Sequence, residues 1–126
     1  MREARRSAAR TPAHVSCLAE QAKILVAEAE ENHSDDSQWH RWHTCRLCEQ
    51  DYHGVVACAL GWACWKTYLG RPETDNLRHS AMTILGVGLN AVNRHEEQLE
   101  ILEAQVAAEE LMEKEEEEKN LLMVWF

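Results

Sequence analysis

Apolar residues recur at three- and four-residue steps along most of this chain, which is the period of an amphipathic helix. Val15, Leu18, Ala22, Leu25 and Ala29 make one stripe and predict a helix over 12–31. Thr11 followed by Pro12 supplies its start, a hydroxyl cap with proline in the first turn. Glu28, Glu30 and Glu31 oppose the dipole at its C-terminal end, so fraying into the polar loop ENHSDDSQ is expected. From Val55 to Leu69 the chain is apolar nearly all round. This predicts a helix over 53–69 buried on several sides. Gly70 stands as its C-cap and Pro72 follows where a helix cannot continue. A third helix is predicted over 74–92, starting at Thr74–Asp75. Asn93 takes a left-handed turn, and a fourth helix runs over 95–118. The fourth carries two stripes: Leu99, Leu102 and Val106 on one side, Ile101, Ala104, Ala108 and Leu111 on another. Two stripes call for neighbours on two sides. Beyond them, 113–119 is mostly Glu and reads as a solvated helical extension.

Strand signals are nearly absent. No Asn-Gly or Asp-Gly hairpin turn occurs, and Ala, Leu and Glu favour helix. An all-α chain of antiparallel helical hairpins is expected, and 126 residues allow one domain. The expected division is a disordered basic tail at 1–10, a helical repeat-like domain at 11–112 with a Cys/His loop at 39–58, and an acidic extension with an apolar end at 113–126. That bare end, LLMVWF, reads as the edge of a fragment.

The net charge of −9 disfavours a nucleic-acid partner, because phosphate binding needs a basic face. The longest apolar run, Val55–Trp65, is too short to span a bilayer, so no membrane association is expected. Five cysteines is an odd number, and no secretory signal is evident. A reducing, intracellular setting, the cytoplasm, is therefore expected, with thiols or metal ligands rather than disulfides.

The chemistry concentrates in Trp39–Leu69, which holds four of the five cysteines, four of the five tryptophans and three histidines. Cys45-x2-Cys48-x4-His53-x4-Cys58 has the spacing of a zinc knuckle. Zinc takes four Cys or His ligands in a tetrahedron, and a two-residue gap lets both thiolates of one turn face the same ion. Cys45, Cys48, His53 and Cys58 are the candidate metal ligands, with zinc the cofactor they suit. Knuckles resembling this one carry glycine where this chain has Glu49 and Tyr52. Other sets stay open: His40 and His43 lie three apart, and Cys64 could replace Cys58. Cys58 also falls in the helix-like run VVACALGW, where a small buried thiol needs no metal. A redox Cys-x-x-Cys site has no flanking βαβ pattern, and a cysteine nucleophile has no orienting carboxylate. The tryptophans sit at packing positions on helix faces.

HSAMTILGVGLNAVNRHEEQLEILEAQV resembles a tetratricopeptide repeat. Met82, Leu85, Gly86 and Leu89 stand at its large, Leu-Gly and large positions, and Asn93–Arg94 makes the turn. Glu96, Glu97, Leu99 and Leu102 follow, and the Arg-His-Glu-Glu turn resembles kinesin-light-chain-like repeats. Met82 and Leu89 replace the usual aromatics, and Gln98 stands where a small residue belongs. Leu60-Gly61 could be a degenerate copy, but it lies 25 residues before Leu85-Gly86, short of the roughly 34-residue period. The resemblance implies an α-solenoid fragment with Gly86 at a close helix approach. It also implies a core of Leu60, Trp62, Trp65, Leu85, Leu89, Leu99 and Leu102. An ordinary antiparallel bundle is the competing architecture. The function expected is a non-enzymatic protein–protein interaction module taking a peptide or helix in a groove. The alternative is a small zinc module that recognises protein or nucleic acid.

Overall fold

Helix periodicity decides the secondary structure. The computed structural model describes the backbone of residues 2–33, 37–45 and 47–125, with side chains described within 15–124. Four α-helices run in order: α1 (Arg2–Glu31), α2 (Gly54–Tyr68), α3 (Asn76–Ala91) and α4 (His95–Trp125). A short 3-10 helix, Ser37–Trp42, lies between α1 and α2. Among the described residues there is no strand, and one isolated bridge joins Thr44 and Asp51. The backbone of α1 begins at Arg2, so the Thr11–Pro12 start signal lies inside the helix. A proline costs one intrahelical bond there, and the Ala- and Arg-rich residues before it favour helix. The side chains of the expected basic tail, and of Trp125 and Phe126 in the apolar end, lie outside the described residues.

The helix ends follow local chemistry. Asp75 caps α3, its carboxylate accepting from the N–H groups of Leu77 and Arg78 at 2.9 and 3.0 Å. Asn93 takes φ +61 in the α3–α4 turn. Gly70 corrects the expectation for α2. The cap is Leu69 in the right-handed region, and Gly70 is not left-handed. Instead Gly54 takes φ +52 where the chain enters α2. The glutamates ending α1 also find a use. Arg71 donates to both Glu30 carboxylate oxygens at 3.1 and 2.8 Å and lies 5.4 Å from the Tyr68 ring centroid. One guanidinium thus ties the end of α1 to the α2–α3 loop.

Each helix packs mainly on its neighbours in sequence, and α2 with α3 is the most extensive pair. Glycines set that pair. A Cβ on Gly88 would stand 2.7 Å from the Ala57 carbonyl oxygen and 2.9 Å from Cys58 Cα. A Cβ on Gly61 would stand 3.0 Å from the Ile84 oxygen and 3.1 Å from Leu85 Cα. The two helices run antiparallel, each placing one glycine against the other's backbone. Gly86, the glycine singled out by the repeat pattern, is buried, yet a Cβ there would meet nothing within 4 Å. The close approach belongs to Gly61 and Gly88.

Two clusters form the core. Ala22, Val26, Trp42, Cys64, Tyr68, Ala81 and Ile84 join α1, the 3-10 helix, α2 and α3. Cys58, Leu85 and Leu89 form the second, with Trp62, Val92 and Ile101 against them. Leu60 is buried as expected, and Trp62 and Trp65 are half-buried. Leu99 and Leu102 depart from expectation, being 56% and 45% exposed. Of the other stripe, Ala108 is buried and Ile101 half-buried, while Ala104 and Leu111 are exposed. Gln105 donates to Thr83 Oγ1, and His79 Nε2 lies 3.2 Å from a Glu109 carboxylate oxygen, so α4 runs antiparallel to α3. No described helix is long and apolar enough to cross a membrane.

Candidate functional site

The loop between the 3-10 helix and α2 carries the polar chemistry. Trp42, 1% exposed, anchors its start in the core. Its ring centroid lies 6.0 Å from that of Tyr68, edge to face. From there the backbone doubles back on itself. Tyr52 N–H donates to the His43 carbonyl at 2.9 Å, and Cys45 N–H donates to the Gln50 carbonyl at 2.8 Å. Glu49 N–H donates to the Cys45 carbonyl at 2.9 Å, and Glu49 takes φ +58. A glutamate thus holds a left-handed position that glycine usually takes.

Within this turn hydrogen bonding by the backbone N–H groups of Cys48 and Leu47, and then by the Cys48 thiol, holds the Cys45 thiol below its ordinary pKa. Tyr52 lies beside Cys45. Burial first, then the thiolate charge, pushes its phenol up. Cys48 and Leu47 are exposed at the tip, Leu47 at 92%.

His53 and Cys58 do not join them. Cys58 is buried in α2 against Leu85 and Leu89. Its position one turn into the helix turns its thiol to the α3 side. His53 is the exposed residue preceding α2. Among the described residues no three Cys, His, Asp or Glu side chains group as a metal site. His40 and His43 therefore make no such set, and Cys64 is buried in the core with its pKa pushed up by burial.

Beside the thiol pair lies a polar group that the cysteine spacing does not signal. The Thr44 hydroxyl donates to Asp51 Oδ1 at 3.0 Å. His43 Nδ1 lies 3.0 Å from Thr44 Oγ1 and 3.4 Å from Asp51 Oδ1. With the Thr44 proton committed to Asp51, His43 Nδ1 serves as the donor to these oxygens. The Thr44 hydrogen bond first, then His43, holds the Asp51 carboxyl below the usual range. His43 and Asp51 border a cavity of about 290 Å³ lined also by Trp42, Tyr52, Ile84, Val87 and Gly88.

A second surface lies on α4. Leu99, Leu102 and Val106 recur at helical steps and are about half exposed, on the side turned away from α3. Leu121 to Val124 are exposed at the far end of the helix. Comparison with known proteins gave no match to any family model, curated protein or solved structure. The chain is all-helical with packed helices, compatible with a helical-repeat fold.

Proposed function

We propose that this chain is a non-enzymatic, helical-repeat-like interaction module that presents α4 to a helical partner. The observation that carries the reading is the outward stripe of Leu99, Leu102 and Val106. In a stack of helices each element buries one face on the helix before it and one on the helix after it. Here α4 has its preceding neighbour, α3, and its second apolar face is open. Of the tetratricopeptide-like residues, Met82, Leu85 and Leu89 are buried as the resemblance implies, whereas Gly88 rather than Gly86 makes the close approach and Leu99 and Leu102 lie outside the core. An amphipathic helix laid along the stripe would meet anchors at one-turn spacing, the pattern of helix-in-groove recognition.

The test is site-specific. A photo-crosslinking side chain at Leu102 should capture a defined protein in cells, and one at Thr83 should not. The captured protein, made recombinantly, should bind the purified chain and lose binding to Leu99→Glu with Leu102→Glu. Binding unaffected by those substitutions would refute the use of this face.

A further inference from the structure

The open stripe of α4 is bordered by charge of one sign, and that charge selects what can cover it. We propose that the α4 face binds a basic amphipathic helix, with apolar residues at three- and four-residue steps and Lys or Arg along its border. This rests on α4 serving as an interaction face and adds the chemistry of the partner.

The charge of the chain is concentrated on α4. His95–Trp125 holds eleven glutamates and two lysines, so with His neutral it carries −9, the whole formal net charge. Within it Glu96, Glu103 and Glu110 recur every seven residues, and all three are exposed. Each stands three or four residues from a member of the stripe: Glu96 and Glu103 from Leu99, Glu103 and Glu110 from Val106. Residues at those steps are neighbours on a helix surface, so these carboxylates line one border of the stripe. The opposite border is turned to α3, where Gln105 donates to Thr83 and Glu109 lies beside His79. Among the described residues Glu96, Glu103 and Glu110 take part in no ion pair.

A helix laid on the stripe brings its own border against these carboxylates. A basic residue there forms an ion pair, and an acidic one meets like charge. The same pattern disfavours a second copy. From Val106 the alternating steps continue to Glu109 and Glu113. In a parallel pair of α4 helices each of these would face its own counterpart. In an antiparallel pair the two rows of Glu96, Glu103 and Glu110 would face each other. Glu96 to Glu110 spans about 21 Å of helix axis, so a partner of about four turns reaches all three carboxylates.

Two synthetic peptides of about four helical turns test this against the full chain. Both carry leucine at alternating three- and four-residue steps. One has lysine on both borders and the other glutamate, and like charge on both borders keeps each from pairing with itself. Binding is followed by fluorescence anisotropy of labelled peptide, and the mass of the complex by sedimentation. The lysine peptide should bind about tenfold tighter than the glutamate peptide or better, since each pair changes affinity about two-fold and its like-charge counterpart does the reverse. The margin should shrink as salt is raised. Glu96→Lys with Glu103→Lys and Glu110→Lys, which leaves the stripe and the core in place, should reverse the preference. Leu99→Ser with Leu102→Ser, which leaves the charge unchanged, should weaken the lysine peptide. Equal binding of both peptides, lost in the serine variant, would overturn the basic partner and leave the α4 face in use. Lysine-peptide binding that survives the serine variant would overturn both. A preference that survives the charge reversal, no binding of the lysine peptide, or a chain that self-associates through Leu99 and Leu102 would each overturn the proposal.

Discussion

Two glycines, two residues apart on α3, should respond in opposite directions to the same substitution. Alanine in place of glycine inside a helix gains about 0.5–1 kcal/mol from backbone entropy. At Gly86 the new methyl meets nothing within 4 Å, so Gly86→Ala should stabilise by about that amount. At Gly88 the methyl would stand 2.7 Å from the Ala57 carbonyl oxygen and 2.9 Å from Cys58 Cα. Both are backbone atoms and cannot rotate away, so α2 and α3 must separate. Overpacking of this kind costs about 1–3 kcal/mol, and backbone clashes belong to the upper half. After the helix gain, Gly88→Ala should destabilise by roughly 1–2 kcal/mol. Unfolding entropy of about 2.1 cal/mol/K per residue converts 1 kcal/mol into about 4 °C for a chain of this size. Gly86→Ala should then raise Tm by about 2–4 °C, and Gly88→Ala should lower it by about 4–8 °C. Urea unfolding followed by circular dichroism gives the free energies, with unchanged m-values confirming that the unfolded states match. The difference between the two variants isolates the packing cost, because the helix term cancels. Gly88→Ala as stable as Gly86→Ala would refute the close crossing of α2 and α3. Gly86→Ala falling as far as Gly88→Ala would restore Gly86 as the contact glycine of the repeat pattern.

The remaining predictions concern thiols, pH, the core and the tail. Alkylation of the native chain should modify Cys17, Cys45 and Cys48, and Cys58 and Cys64 only after unfolding, as peptide mapping would show. Cys45 should react faster than Cys17 below pH 8, since backbone N–H groups stabilise its thiolate. Burial raises Cys64 and lifts Tyr68 to about 12, so both stay protonated in the fold after the unfolded chain has ionised them. Their contribution is fully present at neutral pH and is lost as pH rises through about 9 to 12. Urea midpoints should fall over that interval, and a flat profile would contradict it. Trp42→Ala should cost about 3–5 kcal/mol in urea melts by opening a cavity between α1 and Tyr68. Removing 113–126 should leave Tm within about 4 °C, the equivalent of one kcal/mol for this chain.

Local patterns along the chain were enough to read the helices. The stripe of α1, the Asp75 start of α3 and the left-handed Asn93 follow from chemistry within a few residues, and all three are legible without knowing any neighbour. The Cys45–Cys48 turn is legible for the same reason, since two residues between thiols constrain one loop. Which face of a helix finds a partner is a different matter, because burial depends on elements far away in sequence. Of the two α4 stripes, one has Ala108 and Ile101 covered with Ala104 and Leu111 exposed, and the one containing Leu99 is left open. Both have the same periodicity, and nothing within α4 distinguishes them. Gly86 and Gly88 are likewise both glycines in a helix. A two-residue step rotates one away from α2 and places the other on its backbone. Cys58 has the spacing of a ligand, but α2 is rigid from Gly54 onward, and its rotation against Leu85 and Leu89 directs that thiol into the core. Glu30 opposes the α1 dipole locally, and only the α2–α3 loop brings Arg71 across 41 residues to pair with it. Periodicity acts through bonds to near neighbours, whereas rotation about a helix axis is set by the summed packing of every helix it touches.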